Sequence, residues 1–288
     1  MTTPRTDIIP ADWSLWSDSK PELIRPLLGG LTNKSYLISA GDALFVLRKN
    51  SAISAELNLN RQTEAQVLGL ADSEGLCAPL IHYDADYQYM VSHYVVGKHW
   101  RADDAGLSVL ARLLARVHQL PAVDSYLDIG HKATSYWRAI DEEAVFSSDL
   151  SALTGRVAEH IEGAKSFGAA LCVCHNDLLL ENLIATDGGR LYAIDWEYAA
   201  MGDPFYDLAV IVEGHGLDEP QQHALLAEYL ARPVSADDLQ RLTHWRVIYG
   251  YLTVLWYAVQ WSSGLMKTAE TSRDIAEQIR VLNTRFTL

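Results

Sequence analysis

The sequence predicts an α+β protein of two lobes, a small N-terminal antiparallel-sheet lobe followed by a larger, mainly helical C-terminal one. Short apolar runs separated by turn residues occupy the first third of the 288 residues. From residue 103 the apolar positions take the three-and-four spacing of amphipathic helices, and one further strand pair interrupts them. The implied division is residues 1–93 and residues 94–288, with a cleft between them.

In chain order, Tyr36-Leu37-Ile38-Ser39 and Leu44-Phe45-Val46-Leu47-Arg48 flank Gly41-Asp42 and read as a hairpin. Residues 54–70 read as a helix, because Leu57, Arg61, Glu64 and Leu68 recur at steps of four, three and four. A second hairpin pairs Ile81-His82-Tyr83 with Tyr89-Met90-Val91, and Tyr94-Val95-Val96-Gly97 is the connector out of the small lobe. Asp103 and Asp104 suit the first turn of a helix whose stripe is Leu107, Leu110, Leu114 and Val117 and which Pro121 stops. Further helices are expected at 134–162, 219–231 and 236–262. Leu171-Cys172-Val173-Cys174 reads as a strand. Leu183-Ile184-Ala185 and Leu191-Tyr192-Ala193-Ile194 form a hairpin around Asp187-Gly188-Gly189.

Composition removes several classes of function. Lys plus Arg number 23 against 37 Asp plus Glu, a net charge of -14 at pH 7, which disfavours nucleic acid as a partner because such binding relies on cationic side chains displacing counterions. No apolar run reaches the ~20 residues of a membrane-spanning helix. The opening Met1-Thr2-Thr3-Pro4-Arg5-Thr6-Asp7 lacks the apolar stretch of a secretory leader. Three cysteines are too few for a disulfide framework, so reduced thiols in a cytoplasmic protein are expected. Cys172 and Cys174 alternate onto one side of their strand, but no other cysteine or metal-spaced histidine pair accompanies them, and a metal centre there is not expected.

The chemistry concentrates in Cys174-His175-Asn176-Asp177-Leu178-Leu179-Leu180-Glu181-Asn182 and, beyond the short hairpin, in Ile194-Asp195-Trp196-Glu197-Tyr198. Phosphoryl transfer requires a carboxylate to orient the attacking hydroxyl and oxygen ligands for a hard cation bridging the phosphates. Asp177 suits the first role. Asn182 and Asp195 suit the second, because a tight hairpin over 183–194 brings them side by side.

The pattern His-x-Asp-x-x-x-x-Asn followed by Ile-Asp-Trp-Glu-Tyr resembles the catalytic and metal-binding loops of the choline/ethanolamine kinase, thiamine kinase and aminoglycoside phosphotransferase superfamily. The stretch from Asp195 to Ala209 is especially similar to bacterial choline/ethanolamine kinase-like members. The resemblance implies a bilobal protein-kinase-like fold, ATP and Mg2+ as cofactors, and a small-molecule alcohol as acceptor. It places the loop from Leu28 to Ser35 over the ATP phosphates, with Gly29 and Gly30 allowing close approach and Asn33 and Ser35 adding polar contacts. Arg48 takes the place of the phosphate-contacting cation, Glu64 is its partner from the helix, and the segment around Ser92 and Tyr94 is the adenine hinge. A solvated i,i+3 pair of Glu64 with Arg61 is the competing reading. His175 and Asp207 support the catalytic loop. His82, His99, His118, His131, His215 and His223 show no convergent spacing and are assigned no chemistry.

Between Asp195 and Ala231 stand eight carboxylates and no Lys or Arg, which suits a cationic acceptor. Trp245, Tyr249, Leu252 and Trp256 share one helical face, which is either a cation-binding wall or core. In the resemblance, Trp256 and Gln260 match the second Trp and the Gln of the helix lining the choline pocket of eukaryotic-type choline kinases. Thr253 stands where the first Trp would be, and Glu213 lies near the acidic residue that faces the ammonium group. With Glu197, Trp245 and Tyr249 these form the candidate acceptor site. The implied reaction is phosphorylation of choline or ethanolamine by a monomer or homodimer. Thiamine kinase is the nearest alternative, then an aminoglycoside or amino-sugar phosphotransferase. A catalytically silent metabolite-binding module is the alternative of another class.

Overall fold

The computed structural model describes residues 8–28, 32–51, 57, 59–101, 104–168 and 170–285. Five antiparallel strands form the small sheet: β1 (Glu22–Leu27), β2 (Lys34–Ala40), β3 (Ala43–Lys49), β4 (Leu80–Tyr83) and β5 (Tyr89–His93), in the order β1-β2-β3-β5-β4. Gly41, at φ 59, makes the turn between β2 and β3. Alternation along the strands divides the two faces. Ile38, Phe45, Leu47, Tyr89 and Val91 form an apolar cluster covered by Ile8, Ile9 and Trp16, whereas Val46, Arg48, Met90 and Ser92 face the cleft. Between β3 and β4 runs α1 (Arg61–Ser73), capped by the Asn60 side chain, which accepts from the Thr63 amide. The expected start of this helix falls on 52–56, outside the described residues, and Leu57 is a buried turn residue ahead of it.

Two small sheets follow, the first of which borders the cleft. One joins β6 (Lys98–His99), β8 (Leu183–Ala185) and β9 (Leu191–Ala193), and the other pairs β7 (Cys172–Cys174) with β10 (Ala200–Gly202). The connector passes through Gly97, where a β-carbon would fall 2.6 Å from the Ala185 carbonyl oxygen, so a side chain has no room there.

The helices are α2 (Asp104–Val117), α3 (Ile129–Ala139), α4 (Ser147–Ser166), α5 (Pro204–Gly214), α6 (Glu219–Leu230), α7 (Ala236–Ser262) and α8 (Ala269–Arg285). Asp103 lies outside the described residues. The single helix expected over 134–162 is two, α3 and α4. They part at Asp141, whose side chain accepts from the Glu143 amide and whose carbonyl accepts from the Ala144 amide, a local turn that competes with helix. Helices α5 and α8 form where none was expected. One continuous apolar core runs from α1 through the helices, so α1 packs with the larger part of the molecule. Among the described residues, no helix is long and apolar enough to cross a membrane.

Candidate active site

A cavity of about 1540 Å³ lies between the small sheet and the helices. Strand β7 leads into His175, Asn176 and Asp177, and the last two line the cavity floor. Asn176 sits at φ 65, a left-handed conformation that non-glycine residues rarely adopt, so tertiary contacts must hold it. The fully buried Asp207, in the first turn of α5, does so. Its Oδ2 accepts from the His175 amide at 2.9 Å and its Oδ1 from the Asn176 amide at 2.6 Å. His118, just past the end of α2, lies against the same carboxylate, Nε2 to Oδ2 at 3.0 Å, with its Nδ1 2.7 Å from the Tyr229 hydroxyl. Sequence spacing gave His118 no role; folding gives it one. The His175 ring packs on Trp196 with centroids 4.5 Å apart, and its Nε2 donates to the Ile194 carbonyl. Burial pulls this imidazole down to about 4, so it stays neutral and structural near pH 7.

The β8–β9 hairpin pairs Leu183 with Ala193, and the Ile194 amide donates to the Asn182 carbonyl at 2.9 Å. Asp195 follows at φ 63. Asn182 Nδ2 donates both to the Asp177 carbonyl and to Asp177 Oδ2, each at 2.8 Å. Asp177, Asn182 and Asp195 thus meet at one end of the cavity. Burial, then the charges of Asp195 and Glu197, push the Asp177 carboxyl well up, with the Asn182 amide opposing. Burial and Glu197 likewise push Asp195 up against the pull of Arg48. Crowded carboxylates beside an amide oxygen are a hard-oxygen donor set, and they fit a divalent cation such as Mg2+.

Across the cleft, Glu64 bridges two arginines. Its Oε1 pairs with Arg48, and its Oε2 meets Arg61 Nη1 and the Tyr83 hydroxyl, each at 2.8 Å. Glu64 therefore pairs with both arginines, and its pair with Arg61 is buried where a solvated one was the alternative. Arg48 Nη1 reaches Asp195 Oδ1 at 2.9 Å, and Arg61 Nη1 reaches Glu197 Oε2 at 2.9 Å. Burial works against the Arg48 charge; Glu64, Asp195 and Glu197 overcome it and hold the guanidinium more firmly protonated. Ser35, Arg48, Ser92 and Tyr94 line the cavity, while Gly29 and Gly30 lie outside the described residues. Asn33 does not line it. Its Nδ2 donates to Glu197 Oε2 at 2.7 Å, and its Oδ1 accepts from Arg61 and from the Ser51 amide.

Tyr249 and Trp256 of α7 also line the cavity, as does Glu197, and the Trp256 indole donates to the Tyr198 hydroxyl at 2.9 Å. Tyr257, which flanks the face of Trp245, Tyr249 and Trp256 in the sequence, and Tyr136 and Tyr206, to which sequence reading assigned no acceptor role, complete an aromatic wall. Three expected acceptor residues lie elsewhere. Trp245 is buried edge-on against Tyr206; Gln260 is fully buried, its amide unpartnered among the described residues; and Glu213 is paired with Arg246 and Arg285. The acidic cleft expected over 195–231 is also corrected. Of its eight carboxylates only Asp195 and Glu197 line the cavity, while Asp203 caps α5 and pairs with Arg241, and Asp218 caps α6. A cation lines it too: Lys132 of α3, 8% exposed, whose Nζ lies 4.6 Å from the Tyr198 ring centroid and 5.3 Å from that of Tyr136. Folding also brings His118 to Cys172 and Cys174, donor atoms within 4.8 Å of one another, which spacing did not foresee, although both His118 nitrogens are already engaged.

The phosphotransferase enzyme family, APH, matches residues 23–245. Protein LicA of Haemophilus influenzae is 28% identical over 211 residues, which cover 70% of this chain and 61% of that protein; the chain spans less than two thirds of that relative's length. Ethanolamine kinase 2 of Mus musculus is 26% identical over 230 residues, covering 72% of this chain and 59% of that one. Among solved structures, choline kinase LicA from Streptococcus pneumoniae matches with a TM-score of 0.80 at 21% identity over 96% of this chain and 95% of its own, a likeness of fold.

Proposed function

The chain belongs to the phosphotransferase enzyme family, and from that membership we propose that it transfers the γ-phosphoryl group of ATP to the hydroxyl of a small cationic alcohol, choline or ethanolamine before others. The observation that carries the reading is the meeting of Asp177, Asn182 and Asp195 in one cavity, with Arg48 on the sheet side and the Trp256 wall on the other. Asp177 orients the acceptor hydroxyl and takes up its proton as the new P–O bond forms and the bond between the γ-phosphorus and the β–γ bridging oxygen breaks, releasing ADP. Asn182 and Asp195 hold Mg2+, which when bound neutralises phosphate charge. Arg48, fixed by Glu64, and the loop from Leu28 to Ser35 position the phosphates, and Ser92 and Tyr94 border the adenine. His175 and Asp207 keep Asp177 in place. The sheet of residues 1–93 serves the nucleotide, and 94–288 the catalytic loop and acceptor. The three free cysteines suit a reducing cytoplasm.

The test is ATP turnover by the purified protein with Mg2+ against choline, ethanolamine, thiamine, an aminoglycoside and an amino sugar, with the phosphorylated product identified by mass. A phosphorylated amino alcohol is expected. ATP binding with no product from any acceptor would instead support a silent binding module.

A further inference from the structure

The acceptor end of the cavity already contains a positive charge. Lys132 projects from α3 into the same space as Asp177, Glu197 and Trp256, and its ammonium lies over the faces of Tyr198 and Tyr136 at 4.6 and 5.3 Å. Rings at these distances are the means by which proteins hold onium groups. The hydrogen-bond acceptor Lys132 reaches is the Leu57 carbonyl at 3.5 Å, the long limit for such a bond, and among the described residues no carboxylate lies within ion-pair distance of Nζ. The charge is therefore neither cancelled by a close partner nor placed in water.

We propose that Lys132 is the acceptor pocket's own onium group and a determinant of specificity. Its ammonium holds the tyrosine seat beside Asp177, so an alcohol enters hydroxyl first and its own cation is kept at the Trp256 and Tyr257 side. The pocket selects by repulsion as well as by attraction. One positive charge is tolerated at the far wall; a polycation places a second charge against Lys132. Burial pulls the Lys132 ammonium down to about 8, with Glu197 and Asp177 opposing, so it is mostly charged near neutral pH.

The inference rests on the proposed reading of this end as the acceptor site, and the experiment separates the two. Calorimetry would measure Kd for choline and for its uncharged isostere 3,3-dimethylbutan-1-ol on the full chain and on Lys132→Met, with ATP turnover of the unaltered protein followed in parallel. Removing the charge is expected to shift the ratio of the two constants toward choline by about tenfold, since two unit charges about 10 Å apart in a site of effective dielectric about 20 still interact by about that much. Lys132→Gln, which keeps a donor for the Leu57 carbonyl, is expected to shift it the same way and serves if the Met variant does not fold. A ratio unchanged in the folded variant, or moved away from choline, overturns the role of Lys132. Absence of turnover with any acceptor overturns the kinase reading, while the binding ratio still reports on Lys132.

Discussion

Replacing Asp207 by Asn isolates what holds the loop from His175 to Asp177. The carboxylate is fully buried and accepts two consecutive backbone amides, those of His175 and Asn176, with one oxygen each. An amide side chain has only one acceptor end, so one of these bonds becomes N–H facing N–H. A charge-assisted hydrogen bond contributes about 1.5–3 kcal/mol, and a buried donor left unmet costs about 1–3 kcal/mol, which puts the loss on the order of 3 kcal/mol. Against a typical stability of about 5–15 kcal/mol that is a large fraction. The same displacement reaches Asp177, the next residue, and a shift of ~1 Å at a reacting group costs about a hundredfold in rate. Urea denaturation and steady-state kinetics on Asp207→Asn should show a lower midpoint and a reduced kcat, with the KM for ATP close to unaltered. A variant with the unaltered midpoint and kcat within about twofold would show that the loop is held by something other than Asp207.

Asp177→Asn should lower kcat by about 10²–10⁴ with the melting temperature preserved; near-normal transfer would remove Asp177 from the mechanism. Trp256→Ala should raise the acceptor KM and leave that for ATP in place. Glu213→Gln should do neither and lower stability by no more than about 1 kcal/mol, because its partners Arg246 and Arg285 are partly exposed; a raised acceptor KM in Glu213→Gln would return that residue to the site. His175 stays neutral in the folded chain down to about 4, whereas the unfolded chain takes up the proton near the ordinary value of 6.5. The unfolded state therefore binds more protons across that window, and acidifying through it removes on the order of 3 kcal/mol of stability. His175→Gln should flatten that part of the stability-against-pH curve, and an equal slope in both proteins would assign the protonation to another group.

Strands β2, β3, β5, β8 and β9 and helices α6 and α7 were legible because alternation and helical period are properties of neighbouring residues. Helix α5 was not, since Phe205 to Val212 are buried on every side and leave no polar face to mark a period; Asp203-Pro204, a cap followed by proline in the first turn, was the signal available. Helix α8 had its stripe, Ile275, Ile279 and Leu282, and went unread. The approach of Asp177, Asn182 and Asp195 needed only a short hairpin. Asn33 meeting Glu197 across 164 residues, and His118 meeting Asp207 across 89, leave no trace in spacing. Helix α7 explains Trp245 and Gln260. It is buried on several faces, so steps of three and four cannot distinguish the side facing the cavity from the side facing the core.

The connector has a mechanical meaning. Tyr94 is tied to the small sheet by its amide, which donates a hydrogen bond to the Leu44 carbonyl, and Lys98 is already paired with Ala185 in β8. The free span between these anchors is Val95, Val96 and Gly97, and Gly97 is pressed against β8. So short a tether, made stiff by two β-branched residues, lets the sheet rock but not slide over the helices. The connector lies at one edge of the cavity, and Arg48 of β3 spans the gap to Asp195 as a latch. Opening by rotation would part the buried Arg48 from Asp195, so an ionic contact resists it in addition to the backbone.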